Sequence, residues 1–96
     1  KLVKSGSPAY GMAGVGEGKN TEGSDWIIKV LKEKDERPLW VSVWGGANTL
    51  AQALYTMRAT LSEAELHPLV AKLRVYSISD QDDAGFWIRQ QFPDLF

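Results

Sequence analysis

The sequence predicts an α/β fold in which a mostly parallel sheet is flanked by helices. Two apolar, β-rich segments, 39–44 and 73–79, are typical of strands. Segments with helical periodicity and helix start signals lie before, between and after them. Because helices join the two strands, parallel pairing through a right-handed crossover is the expected arrangement.

Composition and charge argue against several classes of partner. The 96 residues suit one small domain, and a formal net charge of −1 without a basic cluster argues against nucleic acid and anionic membranes. The longest apolar runs are too short to span a membrane. Without cysteine, the chain has no disulfide and no thiolate ligand or nucleophile. The four tryptophans serve either packing or a platform on which sugar rings stack.

Residues 1–23 form a glycine-rich segment with the composition of a loop. Its Gly-x-Gly pieces do not follow a predicted strand, which disfavours a phosphate-binding loop. Long glycine-rich segments in compact domains are usually functional or mobile.

Each predicted helix begins at a polar residue that can cap it. The expected N-caps are Ser24, Asn48 or Thr49, Ser62, and Asp82 or Asp83. The second helix is expected to end near residue 59 or 60. Pro68 should keep the third helix short or kinked, because proline cannot donate a backbone hydrogen bond. His67, the only histidine, is expected to be solvated.

The stretch 39–54 is the element most suited to ligand binding. Its strand, 39–44, is almost continuously apolar, as in strands that are covered on both faces. Gly45 and Gly46 permit a sharp turn and close approach to the backbone. A helix follows, and open α/β sheets bind ligands beyond the carboxyl ends of their strands.

A second polar loop follows the other strand and should lie at the same edge of the sheet. The residues expected there are Trp44, Gly45, Gly46, Asn48, Asp80, Gln81, Asp82 and Asp83. The three aspartates either cap a helix within a solvated loop, or bind ligand hydroxyl groups or a hard cation such as Ca²⁺. Paired carboxylates also serve general acid and base catalysis. Glu17 and Glu22 could reach this edge from the glycine-rich segment.

Three strings of residues resemble a known family. They are Gly-Glu-Gly with Thr-Glu-Gly-Ser within 16–24, and the longer strings 37–54 and 72–83. They are similar to the nucleoside-hydrolase-like domain of cellulose-binding proteins of the Sde182 type, which is in turn similar to the inosine-uridine-preferring nucleoside hydrolases. The resemblance implies a Rossmann-like sheet of which residues 1–96 are the middle part, with the glycine-rich loop 1–23 before alternating helices and strands in 24–96.

The resemblance also implies a metal position in the turn after the first strand. The hydrolases carry a Gly-Pro-Leu-Thr-Asn-type turn there, and one of its backbone carbonyls helps to bind the catalytic calcium. Gly45 matches the glycine and Asn48 matches the carbonyl position, whereas Gly46 replaces the proline and Thr49 the asparagine. Asn48 is therefore the implied metal ligand, by position and not by identity.

The family's other catalytic parts have no counterpart in these residues. In the hydrolases, the aspartate cluster that holds calcium and supplies the general base precedes this region. The catalytic histidine and the last metal-binding aspartate follow it. The resemblance therefore leaves the catalytic residues unknown, places most Ca²⁺ ligands elsewhere, and implies a whole domain of roughly 300 residues.

Two functions follow from the resemblance, alongside that of a structural fragment without activity of its own. The first is a calcium-assisted hydrolase of N-glycosidic bonds, and the second is a non-catalytic cellulose- or polysaccharide-binding domain that keeps the hydrolase fold. The expected partners are a carbohydrate or nucleoside and the remainder of the same domain, and the implied location is secreted or periplasmic. The candidate ligand-binding residues are Glu22, Trp44, Asn48, Asp80, Gln81, Asp82 and Asp83.

Residues 1–96 alone are predicted not to be independently stable, because they would expose strand edges and an unfinished core. Circular dichroism of the purified 96-residue chain during heating is expected to show no cooperative transition. A sharp, reversible transition would refute this prediction.

Overall fold

Helices and strands alternate along the chain, as the sequence predicts. The structure is a computed structural model that describes residues 4–33, 37–43, 47–77 and 83–95. Short 3-10 helices at Gly11–Gly14 and Pro93–Leu95 flank the regular elements. These elements are α1 (Glu22–Lys32), β1 (Leu39–Val43), α2 (Asn48–Thr60), α3 (Glu63–Lys72), β2 (Leu73–Ser77) and α4 (Asp83–Gln91). No helix in these ranges is long and apolar enough to cross a membrane.

Strands β1 and β2 pair in parallel, which confirms the predicted parallel pairing. Leu39 lies opposite Leu73, and the register continues to Val43 opposite Ser77. The predicted strand residues Trp44, Ile78 and Ser79 lie outside the described residues.

The described residues cover β1 on one face, whereas its sequence is typical of a strand that is covered on both. Burial alternates along the strand, so that Val43 is buried whereas Trp40 is 69% exposed. Side chains of a strand point alternately to opposite faces, and the described helices cover only the face of Val43. An apolar run in the sequence does not distinguish a covered face from an uncovered one.

One apolar core joins this covered face of the sheet to the helices. Helix α2 is central to it, since Leu50, Leu54 and Met57 are almost completely buried. Arg58, near the end of the same helix, is exposed and lies over the rings of Trp87 and Phe92. The other buried members of the core are Leu31, Val43, Ala51, Leu66, Leu73, Ala84, Ile88, Phe92 and Leu95.

The N-cap of helix α1 lies three residues earlier than the predicted Ser24. Thr21 is the N-cap, and its side chain accepts a hydrogen bond from the Ser24 amide at 3.1 Å. The Ser24 hydroxyl in turn accepts from the Thr21 amide at 2.9 Å, which completes a capping box. The prediction of Ser24 as the cap is therefore wrong, because Ser24 is the buried third residue of the helix.

The N-caps predicted for α2 are also wrong. Ala47 occupies the capping position without a side-chain hydrogen bond, and Asn48 and Thr49 are already helical. Asp83 is likewise the first residue of α4 and not its cap, whereas Asp82 lies outside the described residues. At the start of α2, the Asn48 side chain instead donates a hydrogen bond to the distant Ala9 carbonyl.

The predicted cap of α3 is confirmed. Ser62 accepts a hydrogen bond from the Glu65 amide at 3.2 Å, and the Glu65 carboxylate accepts from the Ser62 amide at 3.0 Å. The helix continues through Pro68 to Lys72, and His67 is exposed as expected. The hydrogen bonds from Ser62 to the ionised carboxylate hold the pKa of Glu65 below its usual value.

This pKa shift predicts a pH-dependent contribution of Glu65 to stability. A lowered carboxyl pKa stabilises the fold above the unfolded-state value, and that stabilisation is lost as the pH falls through the folded-state value. The protein containing Glu65→Gln is therefore expected to be less stable than the unsubstituted protein at pH 7 and to lose this deficit in acid. Urea unfolding at several pH values tests this, with Glu17→Gln as the control at an exposed site without a cap. A deficit that persists unchanged in acid would contradict it.

Candidate functional site

The glycine-rich segment lies against the N-termini of three helices. Its first contact is with α1, where the Gly23 amide donates to the Ser5 carbonyl at 2.8 Å. The Ser5 amide donates to the Glu22 carboxylate at 3.3 Å. Glu22, a predicted ligand-binding residue, is exposed in the first turn of α1 and helps to hold the segment there.

Two predicted site residues fasten the next part of the segment. The side-chain amide of Asn48, at the start of α2, donates to the Ala9 carbonyl at 2.7 Å. The backbone amide of Met12 donates to the carboxylate of Asp83, at the start of α4, also at 2.7 Å. The structure therefore brings Asn48 and Asp83 to the same short piece of chain, 9–12, from two different helices.

Glycine is needed where this segment approaches the helices. A Cβ atom at Gly6 would lie 2.6 Å from the Thr49 hydroxyl at the start of α2, which is closer than packing allows. Gly11 has a φ of 59°, a left-handed conformation that favours glycine. The glycine content of the segment, from which we predicted only a loop, therefore reflects its close approach to the helices and its sharp turns.

A buried glutamine holds the last part of the segment. Gln52 of α2 is 1% exposed, and its side chain accepts from the Gly16 amide at 2.8 Å and donates to the Gly16 carbonyl at 3.1 Å. It also donates to the Asn20 side chain at 2.6 Å, and Thr56 donates to the same Asn20 oxygen at 2.7 Å. Gln52 is not among the predicted site residues, although a glutamine between Leu50 and Leu54 on a buried helix is a signal for such a contact.

These contacts define the candidate site. Helices α2 and α4 follow the carboxyl ends of β1 and β2, the edge at which open α/β sheets bind ligands. The clamped segment, which we define as residues 5–20, therefore lies along the predicted ligand-binding edge. The remaining predicted site residues, and the two turn glycines, lie outside the described residues: Trp44, Gly45, Gly46, Asp80, Gln81 and Asp82.

The described residues do not by themselves fit a calcium site. Within them, no three His, Cys, Asp or Glu side chains are grouped so as to hold a metal ion. Asn48 is the first residue of α2, so its carbonyl is directed along the helix toward the Gln52 amide, and its side chain is bound to Ala9. Ca²⁺ takes six to eight oxygen ligands, so a site here would need most of them from other residues.

A separate cleft lies at the opposite end of α2. It has a volume of about 250 Å³ and is lined by Arg58, Glu63 and His67 among others. The Arg58 guanidinium donates to the Gln91 side chain at 2.8 Å and lies over two aromatic rings, which stabilise it in place. The C-terminal end of α2 thus has a packing role and is distant along the helix from Asn48.

Replacing Gln52 is predicted to loosen the clamped segment. Gln52→Leu leaves the Gly16 amide and carbonyl without their buried partners, which costs about 1–3 kcal/mol in the free energy of unfolding. Hydrogen exchange of the Gly16 amide should accelerate, while exchange in β1 changes little. Gln90→Leu, at an exposed position of α4, is the matched control. Unchanged Gly16 protection in Gln52→Leu would contradict this role.

Comparisons with known proteins agree with this architecture. A family model described as "Cellulose-binding Sde182, nucleoside hydrolase-like domain" matches residues 1–96. A nucleoside hydrolase-related hypothetical protein from Saccharophagus degradans, described as associated with carbohydrate metabolism, superposes with a TM-score of 0.91 at 46% identity. That match covers 95% of this chain and 22% of the solved chain. No match was found among functionally curated proteins. The chain belongs to the family of nucleoside-hydrolase-like domains of cellulose-binding Sde182 proteins.

Proposed function

We propose that this chain forms one wall of a carbohydrate-binding site at the carboxyl edge of its parallel sheet. The observation that carries the proposal is the pair of contacts from Asn48 and Asp83, which fix residues 9–12 across the starts of two helices. The family's description as cellulose-binding, and the related structure's association with carbohydrate metabolism, support a saccharide as the ligand.

The fixed segment is suited to bind a polar ligand. Its backbone offers amide and carbonyl groups, and the Asp83 carboxylate lies beside them. Sugar hydroxyl groups bind to such donors and acceptors, and aromatic rings stack on sugar faces. Because the contacts to α1, α2 and α4 hold the segment in the free protein, less conformational entropy is lost when a ligand binds.

We take binding without turnover as the first candidate function. Hydrolysis of a glycosidic bond commonly uses two carboxyl groups on opposite sides of that bond. In the described part of this edge, the Glu22 and Asp83 carboxylates and the Asn48 amide are all bonded to the glycine-rich segment. In this proposal these groups support the wall, and any catalytic carboxyl groups would come from other parts of the protein.

Hydrolysis of an N-glycosidic bond is the second candidate function. It is favoured by the nucleoside hydrolase-like description of the family and of the related structure. In that case the general acid, the general base and most Ca²⁺ ligands would come from other parts of the protein. Asn48 would contribute one Ca²⁺ ligand, its backbone carbonyl, as its position in the turn implies. If the protein binds cellulose, with or without hydrolysing N-glycosidic bonds, it would act outside the cytoplasm, as a secreted or periplasmic protein.

Incubation of the intact protein with insoluble cellulose and, separately, with a panel of nucleosides distinguishes the two candidates. We expect retention on cellulose without release of ribose. Release of ribose would overturn the purely binding role, and failure to bind cellulose or any soluble oligosaccharide would overturn the proposal. Addition of Ca²⁺ or of a chelator in parallel tests the expected metal dependence of any hydrolysis.

The variant Asn48→Asp tests the wall itself. It replaces a donor to the Ala9 carbonyl by a carboxylate that the carbonyl repels, so residues 9–12 should detach from α2. We expect weaker retention on cellulose by about tenfold, corresponding to the loss of about 1.4 kcal/mol of binding free energy. Gln90→Glu introduces the same charge at an exposed position of α4 as a control. Equal retention of both variants would contradict the assigned role.

A further inference from the structure

We propose that the side chains of Tyr10 and Phe86 stack against pyranose rings of a bound glucan chain beside the Asp83 carboxylate. We call these two side chains the aromatic pair. This inference rests on the carbohydrate-binding function proposed above and deepens it. It names the residues that contact the ligand and the kind of ring that they recognise.

Tyr10 lies between two fixed points of the clamped segment. On one side of it, the Ala9 carbonyl accepts from the Asn48 side chain at 2.7 Å. On the other side, the Met12 amide donates to the Asp83 carboxylate at 2.7 Å. Tyr10 itself is 72% exposed, the highest value among the large apolar side chains in the described part of the chain. The segment therefore holds an aromatic ring in solvent at the carboxyl edge of the sheet.

The backbone that follows Tyr10 is also closely held. Gly11 is buried and has a φ of 59°, and Gly14 is buried against the start of α2. A Cβ atom at Gly14 would lie 3.0 Å from the side-chain nitrogen of Asn48. A tyrosine on such a backbone has few rotatable bonds left to order, so it offers a large contact area at a low cost in conformational entropy.

Phe86 brings a second ring to the same carboxylate from α4. It follows Asp83 by three residues, so the two side chains are neighbours on the helix surface. Long helical side chains lean toward the N-terminus of their helix, which is the direction of Asp83. Phe86 is 55% exposed, whereas Ala84 and Ile88 of the same helix are buried in the core. The exposed side of α4 thus carries a carboxylate and a ring one turn apart.

Two rings and a carboxylate are the groups that a pyranose ring requires. Aromatic rings pack against its apolar C–H faces, while its hydroxyl groups donate to carboxylate oxygens. Asp83 is exposed, and a carboxylate can accept about four hydrogen bonds, so its bond to the Met12 amide leaves capacity for ligand hydroxyls. The described sheet face with the other exposed aromatic residues has no carboxylate; it consists of Trp40, Ser42, Arg74 and Tyr76.

Titration calorimetry of the intact protein with cellohexaose tests this inference. We expect Tyr10→Ala and Phe86→Ala each to weaken binding about fivefold, as the loss of one aromatic stack does. Tyr10→Phe and Phe86→Tyr keep a ring and should retain the affinity. Tyr76→Ala is the matched control, because Tyr76 is 56% exposed and Phe86 55%, and it should bind like the unsubstituted protein.

Hydrogen exchange separates stacking from support of the clamped segment. The Met12 and Gly16 amides, which bond to Asp83 and Gln52, should exchange at the same rates in Tyr10→Ala as in the unsubstituted protein. Weaker binding together with faster exchange at these amides would make Tyr10 a support of the segment and would overturn the inference.

The remaining outcomes distinguish this inference from the proposed function. If the unsubstituted protein binds neither cellohexaose nor cellulose, the proposed function fails and the aromatic pair with it. If it binds cellohexaose and the alanine variants at Tyr10 and Phe86 bind equally well, the inference alone is overturned. An affinity loss in only one of these variants, or an equal loss in Tyr76→Ala, also overturns it. So does a loss of affinity for inosine in place of cellohexaose, which would assign the rings to a nucleobase.

Discussion

The contacts that fix the glycine-rich segment to α2 are the interactions on which the candidate site depends. Asn48 holds the segment at the start of the helix, and the buried Gln52 holds it one turn further on. Both side chains bond to backbone groups of the segment, so the path of the chain is fixed by hydrogen bonds as well as by packing. A segment that would otherwise be a free loop thereby becomes a wall at the edge where the two strands end.

The sequence predicted the architecture well and its local details less well. Parallel pairing followed from two apolar segments joined by helices, and the Ser62 cap followed from a serine three residues before a glutamate. The wrong caps of α1 and α2 have different causes. Ser24 and Asn48 have side chains that can cap a helix, but each bonds elsewhere. The Ser24 hydroxyl bonds to Thr21 within a local capping box, and the Asn48 amide bonds to the distant Ala9 carbonyl.

Long-range contacts also limit what the sequence predicts about the candidate site. The sequence placed Asn48 and Asp83 at one edge of the sheet, and the structure brings both to residues 9–12. It gave no indication that they bind the chain's own backbone, because a contact across 39 or 71 residues has no local signature. Nor did it reveal the role of Gln52, whose burial depends on how the segment folds over α2.

The saccharide is proposed to bind at the carboxyl edge of the sheet and not at the sheet face that carries the exposed side chains of Trp40 and Tyr76. Hydrogen exchange of the intact protein, with and without a soluble cello-oligosaccharide, compares them directly. The account predicts that the ligand slows exchange in the clamped segment, above all at residues 9–16, and leaves β1 and β2 unchanged. Slower exchange in the two strands with no change in the clamped segment would contradict it.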